Sequence, residues 1–207
     1  MAMLGVILTW QGPVWGQLRT PVTDSASFLR KVNDVQIANY TPKNGKEGKD
    51  VDFVVELLSL GTLNRQGRNG KDGPDLKVMI SLANIYHTPV LLVTIPNPYT
   101  LQADSFYVNP QKGQIKIIAD GSNGGKGGRS SKGFEGDDGN AGKGGSIEMI
   151  LDSAAAGFAR YRCFIFSNKD GVGENNKEPQ PKEVLLPDGH LWVPYNKPIK
   201  WTIGNAR

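Results

Sequence analysis

Residues 121–145 read GSNGGKGGRSSKGFEGDDGNAGKGG. Glycine leads every triplet from Gly121 to Gly145 except one, where Ser130 takes its place. A period of three belongs neither to an α-helix nor to a strand. It is the period of the polyproline II conformation, in which every third side chain points the same way. The same beat returns at Gly45 and Gly48 in NGKEGKD, and at Gly67, Gly70 and Gly73 in GRNGKDGPD. With 26 glycines in 207 residues, usage is well above ordinary, and the recurrence reads as architecture.

The flanks of these segments read as strands. Leu76, Val78, Ile80 and Leu82 alternate with polar or smaller neighbours, the period of a half-buried strand. Val90–Ile95 is apolar almost throughout, as in a strand covered on both faces, and Pro96-Asn97-Pro98 ends it. Phe106–Val108 and Ile115–Ala119 read as strands joined through the hairpin sequence Asn109–Gly113. Val51–Leu58, Ile147–Leu151, Tyr161–Phe166, His190–Val193 and Ile199–Ile203 complete the set. Thr23–Asn33 is the one helix candidate, with Phe28 and Val32 on one face. The fold class expected is mainly β: an antiparallel β-sandwich-like core with a polyglycine/polyproline II bundle made of Gly-X-X segments. Residues 17–207 read as one domain with glycine excursions at 45–49, 67–75 and 121–145.

Strands flank the long run on both sides, so both of its ends lie near the sheet. A straight polyproline II rod of that length would reach about 75–80 Å, so the run must reverse. The break at Ser130–Lys132 marks the turn, with an outgoing leg from Gly121 to Arg129 and a returning leg from Gly133 to Gly145. Polyproline II has no internal hydrogen bonds, so packed legs must pair N–H and C=O with one another. Glycine at every third place lets the backbones approach. A disordered loop is the alternative on composition. An intermolecular triple helix is a third, disfavoured because the run holds no proline.

Composition bounds the rest. Net charge is +4 with acids and bases interspersed, which demands no anionic partner. Within the run, Lys126, Arg129, Lys132 and Lys143 offset Glu135, Asp137 and Asp138, so the basic stripe of a nucleic-acid binder is missing and no nucleic-acid partner is expected. No apolar run is long enough for a membrane-spanning helix. Cys163 is alone, inside a strand pattern, and reads as a buried thiol. Residues 1–16 read as a signal peptide, truncated at its start because the n-region has no Lys or Arg. The alternative is an apolar strand at Leu4–Trp10.

Motifs of chemistry are weighed and set aside. Lys126 and Lys143 follow glycine but precede glycine, and no helix opens there, so the phosphate-cradling loop is not formed. Asp120, Glu135, Asp137 and Asp138 lack the spacing of known calcium loops and read as solvated carboxylates. His87 and His190 are the only histidines and stand far apart. No catalytic, cofactor-binding or metal residues are assigned, and no cofactor. Phe134, the one aromatic residue of the run, sits beyond the expected turn near Arg129 and Lys132, and these three are the candidate contact residues.

The segments NGKDGPDLKVMI, IADGSNGGKGGRSSKGFEGDDGNAGKGGSIEM and SNKDGVG resemble the glycine-rich, collagen-like secreted proteins of Bacteroidota-type bacteria. The resemblance spans Gly67 to Gly173. It implies export to the cell surface and no particular activity. The expected role is that of a non-enzymatic secreted surface protein, structural or adhesive, toward cell-surface glycan, an envelope component or another surface protein. Two alternatives remain: a small-ligand binder or enzyme with a site in the β-core lined by Trp192, Trp201, Tyr195 or His190, and an oligomeric fibre subunit.

Overall fold

The computed structural model describes residues 25–50, 66–129, 135–159, 161–175, 184–185, 191–192 and 199–204. The expected leader at 1–16, the strand at Val51–Leu58, and the turn with Lys132 and Phe134 lie outside the described residues, as do His190 and Tyr195.

Helix α1 (Ser25–Asn33) opens the described chain and buries Phe28 and Val32, one turn apart. They close over Val90, with Ile85 and Tyr107 alongside. Strands β1 (Val35–Asn39), β2 (Leu76–Ile85), β3 (Thr88–Pro96), β4 (Ala103–Val108), β5 (Gln114–Ile118) and β6 (Ile147–Asp152) follow. After the short helix α2 (Ser153–Ala156) and a 3-10 turn at Tyr161–Cys163 come β7 (Phe164–Ser167), β8 (Val184–Leu185), β9 (Leu191–Trp192) and β10 (Lys200–Gly204). The strand expected to begin at Tyr161 therefore starts three residues later. The expectation of a single helix also misses α2, which Asp152 caps by accepting from Ala154 N–H.

The fold is mainly β, with two principal sheets in the orders β1-β5-β7 and β10-β6-β2-β3-β4, and a β8-β9 ribbon. Antiparallel pairing was expected throughout and is confined to β2-β3-β4 and β8-β9. The strands β1, β5 and β7 pair in parallel, as do β10, β6 and β2. The cause lies in the glycine segments. Strands β1, β5 and β7 run toward them, while β2 and β6 emerge from them. Strands of one sense pair together, and the excursions supply the crossovers that parallel pairing requires. The expected hairpin across Asn109–Gly113 is also corrected, because β4 and β5 belong to different sheets. Asn109 N–H donates to Val32 C=O at 2.8 Å, which turns the chain under the end of α1 instead.

Both sheets feed one core. Leu76, Val78, Ile80, Leu91, Val93, Ile95, Ile147 and Met149 of the larger sheet cluster with Ile115, Ile117, Phe164 and Phe166 of the smaller. Strand β3 is covered on both faces at its start, as its apolar run suggested: Leu91 enters this core while Val90 lies under α1.

The β2–β3 hairpin turns on Tyr86 and His87, with φ of 50° and 59°. Two successive left-handed residues favour Asn-Gly at such turns. Tyr86 is held there by its edge-to-face contact with Phe28, centroids 5.7 Å apart. His87→Gly is expected to raise stability by about 1 kcal/mol, read as a higher urea midpoint at unchanged slope.

Tyr40, just past β1, donates to Asp104 Oδ2 at 2.8 Å, and Asn97 Nδ2 donates to the same oxygen at 3.0 Å. Tyr99 O–H donates to Tyr40 C=O at 2.6 Å. These bonds tie the smaller sheet to the β3–β4 hairpin. Burial, then the hydrogen bond and charge of Asp104, push the Tyr40 hydroxyl well above its ordinary 10.0. Burial raises Tyr99 and Tyr107 as well. The folded chain thus holds these protons more tightly than the unfolded one, so the stability they contribute is complete below pH 10 and falls as pH rises beyond it. Tyr40→Phe is expected to cost about 1–2 kcal/mol at neutral pH. It should also flatten the alkaline decline in melting temperature above pH 10.

Candidate functional site

The glycine-rich stretches form five segments: I (41–50), II (66–75), III (119–129), IV (135–146) and V (168–175). Segments I, III and V continue β1, β5 and β7, while II and IV lead into β2 and β6. Their hydrogen bonds recur every three residues. Gly67, Gly70 and Gly73 donate to the carbonyls of Asp137, Asn140 and Lys143 at 2.7–2.9 Å. Gly45 and Gly48 donate to Asn123 and Lys126, and Gly121 and Gly124 to Lys169 and Val172, all at 2.8 Å.

A second ladder answers the first. The residue before the glycine is repeatedly Asn or Asp, and its side chain accepts the neighbouring segment's N–H. Asn69, Asp72 and Asp75 Oδ1 accept from Asn140, Lys143 and Ser146 at 2.7–2.9 Å. Asp120 and Asn123 accept from Lys169 and Val172, and Asn44 and Asp50 from Asn123 and Arg129. The short Asx side chain supplies the acceptor that the parallel neighbour's backbone does not, as it does when capping local backbone groups.

Strand register runs straight into these ladders. Leu76 pairs with Ile147, and Asp72 takes the N–H of Lys143, both 71 positions apart. Val35 pairs with Gln114, and Asn44 takes that of Asn123, both 79 apart. Ile115 pairs with Phe164, and Asp120 takes that of Lys169, both 49 apart. Segments I, III and V thus extend one sheet, and II and IV the other. In the core, side chains hold the two layers apart. Among the glycines the layers bond directly: Gly136, Gly139, Gly142 and Gly145 donate to Gly128, Gly125, Ser122 and Ala119 at 2.7–2.9 Å, with III and IV antiparallel. Segment V, 168–175, lies outside the excursions that the triplet pattern marks. Its Asp170-Gly171 pair carries the same signal.

Of the carboxylates expected to be solvated, Glu135, Asp137 and Asp138 are exposed, and Asp120 and Asp138 also accept from the protein. Asp120 Oδ1 accepts from Ser167 O–H at 2.6 Å and Lys169 N–H at 2.8 Å, and Asp138 Oδ1 accepts from Gly127 N–H at 2.8 Å. Asp137 Oδ2 accepts from Gln66 Nε2 at 3.3 Å, and Glu135 pairs with Arg129. They do not converge on a shared point. Of the three candidate contact residues, only Arg129 is described. Its Nε lies 2.8 Å from Glu135 Oε1, with both side chains exposed, a pair that contributes under about 1 kcal/mol.

Cys163 is fully buried, with Sγ 3.3 Å from Pro110 C=O. Trp201 packs edge-on against Phe164 and Phe166 at 5.8 and 6.0 Å, as part of the core wall. A cleft of about 270 Å³ lies between Thr88, Pro89, Asn109, Pro110, Gln111, Gly157 and Phe158, lined by no titratable side chain. No helix among the described residues is long and apolar enough to cross a membrane. Comparison with protein-family models, curated proteins and solved structures found no match for this chain.

Proposed function

We propose that this chain is a non-enzymatic secreted surface protein whose β-sandwich-like core displays a polyproline II bundle for a structural or adhesive role. The observation that carries this reading is the unbroken register from strands into glycine ladders. A platform tied to its core in this way presents side chains in fixed rows on a stiff support. The three-residue recurrence of both ladders supports polyproline II geometry, since a strand would repeat every two. At about 3.1 Å per residue, a ten-residue segment projects about 30 Å from the sheets. Arg129 and Glu135 bridge the two segments at the far end. The partner is a cell-surface glycan, an envelope component or another surface protein. The test is surface labelling of intact producing cells with an antibody to the full chain, beside retention of purified chain on isolated envelopes. Labelling only after lysis, with no retention, would sink the proposal.

A further inference from the structure

Segments I and II meet along one edge of the two glycine layers. In segment I, a side chain on Gly45 would strike Arg68 C=O and Gly125 N, so the glycine row faces inward. Asn44 and Asp50 turn toward segment III, where they accept backbone N–H groups. The third row, Lys43, Lys46 and Lys49, is left to solvent, and all three are exposed. Segment II divides in the same way. Gly67 and Gly70 face segment III, Asn69, Asp72 and Asp75 reach segment IV, and Arg68 and Lys71 remain exposed.

These two outward rows lie side by side. Arg68 N–H donates to Lys46 C=O at 2.9 Å. The segments run antiparallel, so that bond sets Arg68 across from Lys46 and Lys71 across from Lys43. Cations thus face cations across the seam, and neither row holds an acid. None of the five makes an ion pair with a described residue. A chain of net charge only +4 has gathered these cations on one straight edge, an arrangement that attracts a polyanion along it.

We propose that this seam binds a linear acidic polysaccharide, a proposal that rests on the adhesive reading and names its ligand class. Three features select that partner. The seam is narrow, because Glu47 and Asp50 lie on one flank and Asp72 and Asp75 on the other, which fits a single chain rather than a membrane surface or a duplex. No aromatic side chain is present on segments I–V as bounded above, so the stacking platforms that hold single-stranded nucleic acid are missing there. The cations recur about every 9 Å along each row at polyproline II spacing, which suits a polymer with carboxylates at regular intervals.

The test is calorimetric titration of the full chain with polygalacturonate, with neutral dextran and an oligo(dT) strand as comparisons. The expected result is binding of polygalacturonate alone, weakening with added salt. The variant K46Q/R68Q/K71Q should weaken it about tenfold or more. K112Q/K126Q/K143Q, equal in charge loss but off the seam, should leave it within about twofold. An unchanged melting curve for both variants confirms folding. Equal weakening by both variants, or oligo(dT) binding as tightly as polygalacturonate, overturns the assignment. Retention on envelopes without any polygalacturonate binding overturns the seam and leaves the adhesive reading standing, whereas loss of both removes the reading beneath it.

Discussion

Gly142→Ala is expected to destabilise the whole chain by about 3 kcal/mol or more, beyond the usual cost of a single methyl group. A Cβ on Gly142 would fall inside the Lys71 carbonyl, with the Asp72 N–H also within 3.0 Å. The obstruction is backbone on both counts, so no side chain can swing aside. Segment II is itself bonded to segment IV on either side of this point, through Gly70 and Gly73. Relief therefore means separating the segments and losing those rungs. Gly157→Ala is the matched comparison. No atom lies within 4 Å of its added Cβ, and its φ is −72°, so it should be neutral or stabilising by about 0.5 kcal/mol. Urea unfolding of the two variants reads the difference directly. Equal midpoints would mean that segments II and IV are not packed against each other in solution.

This contrast also shows what the triplet pattern in the sequence encoded. Period three at 121–145 revealed that segments III and IV are built for close approach, and the strands flanking them placed both ends at the core. The inward rows of β2, β5 and β6 were legible from alternation, because one buried face leaves a period of two. Pairing sense was not legible. Whether β5 pairs with β4 or with β1 and β7 depends on where the excursions return the chain, and nothing local to Asn109–Gly113 decides that. The Asx ladder was present in the sequence as Asn or Asp before glycine at positions 44, 69, 72, 120, 123, 138 and 170. It was hidden because an acid beside glycine in a polar run reads equally well as solvated, and only register reveals which N–H it meets. The basic seam was invisible for the same reason. Lys43, Lys46 and Lys49 alternate along the chain with Asn44, Glu47 and Asp50, and a linear count leaves only one net positive charge. Three-residue geometry sorts them onto separate faces.

Phe164→Ala is expected to cost about 3–5 kcal/mol, and to do so in a single transition that includes the glycine segments. Phe164 is fully buried, stacks against Phe166 at 6.2 Å and meets the edge of Trp201 at 5.8 Å. Removing the ring opens a cavity between the two sheets at the root of β7. That strand continues without a break into segment V, whose Lys169 and Val172 N–H groups bond to Asp120 and Asn123. Loosening β7 therefore withdraws donors from the central segment as well as apolar contact from the core. Far-UV circular dichroism in the polyproline II band follows the glycine segments, and the fluorescence of Trp201, read with the other three tryptophans replaced by Phe, follows the core wall. Coincident loss of both signals, shifted together by Phe164→Ala, is the outcome that continuous register requires. If the glycine signal instead melts at the wild-type midpoint while the tryptophan signal moves, the segments are anchored by their own ladders, and the sheets serve only as a mount.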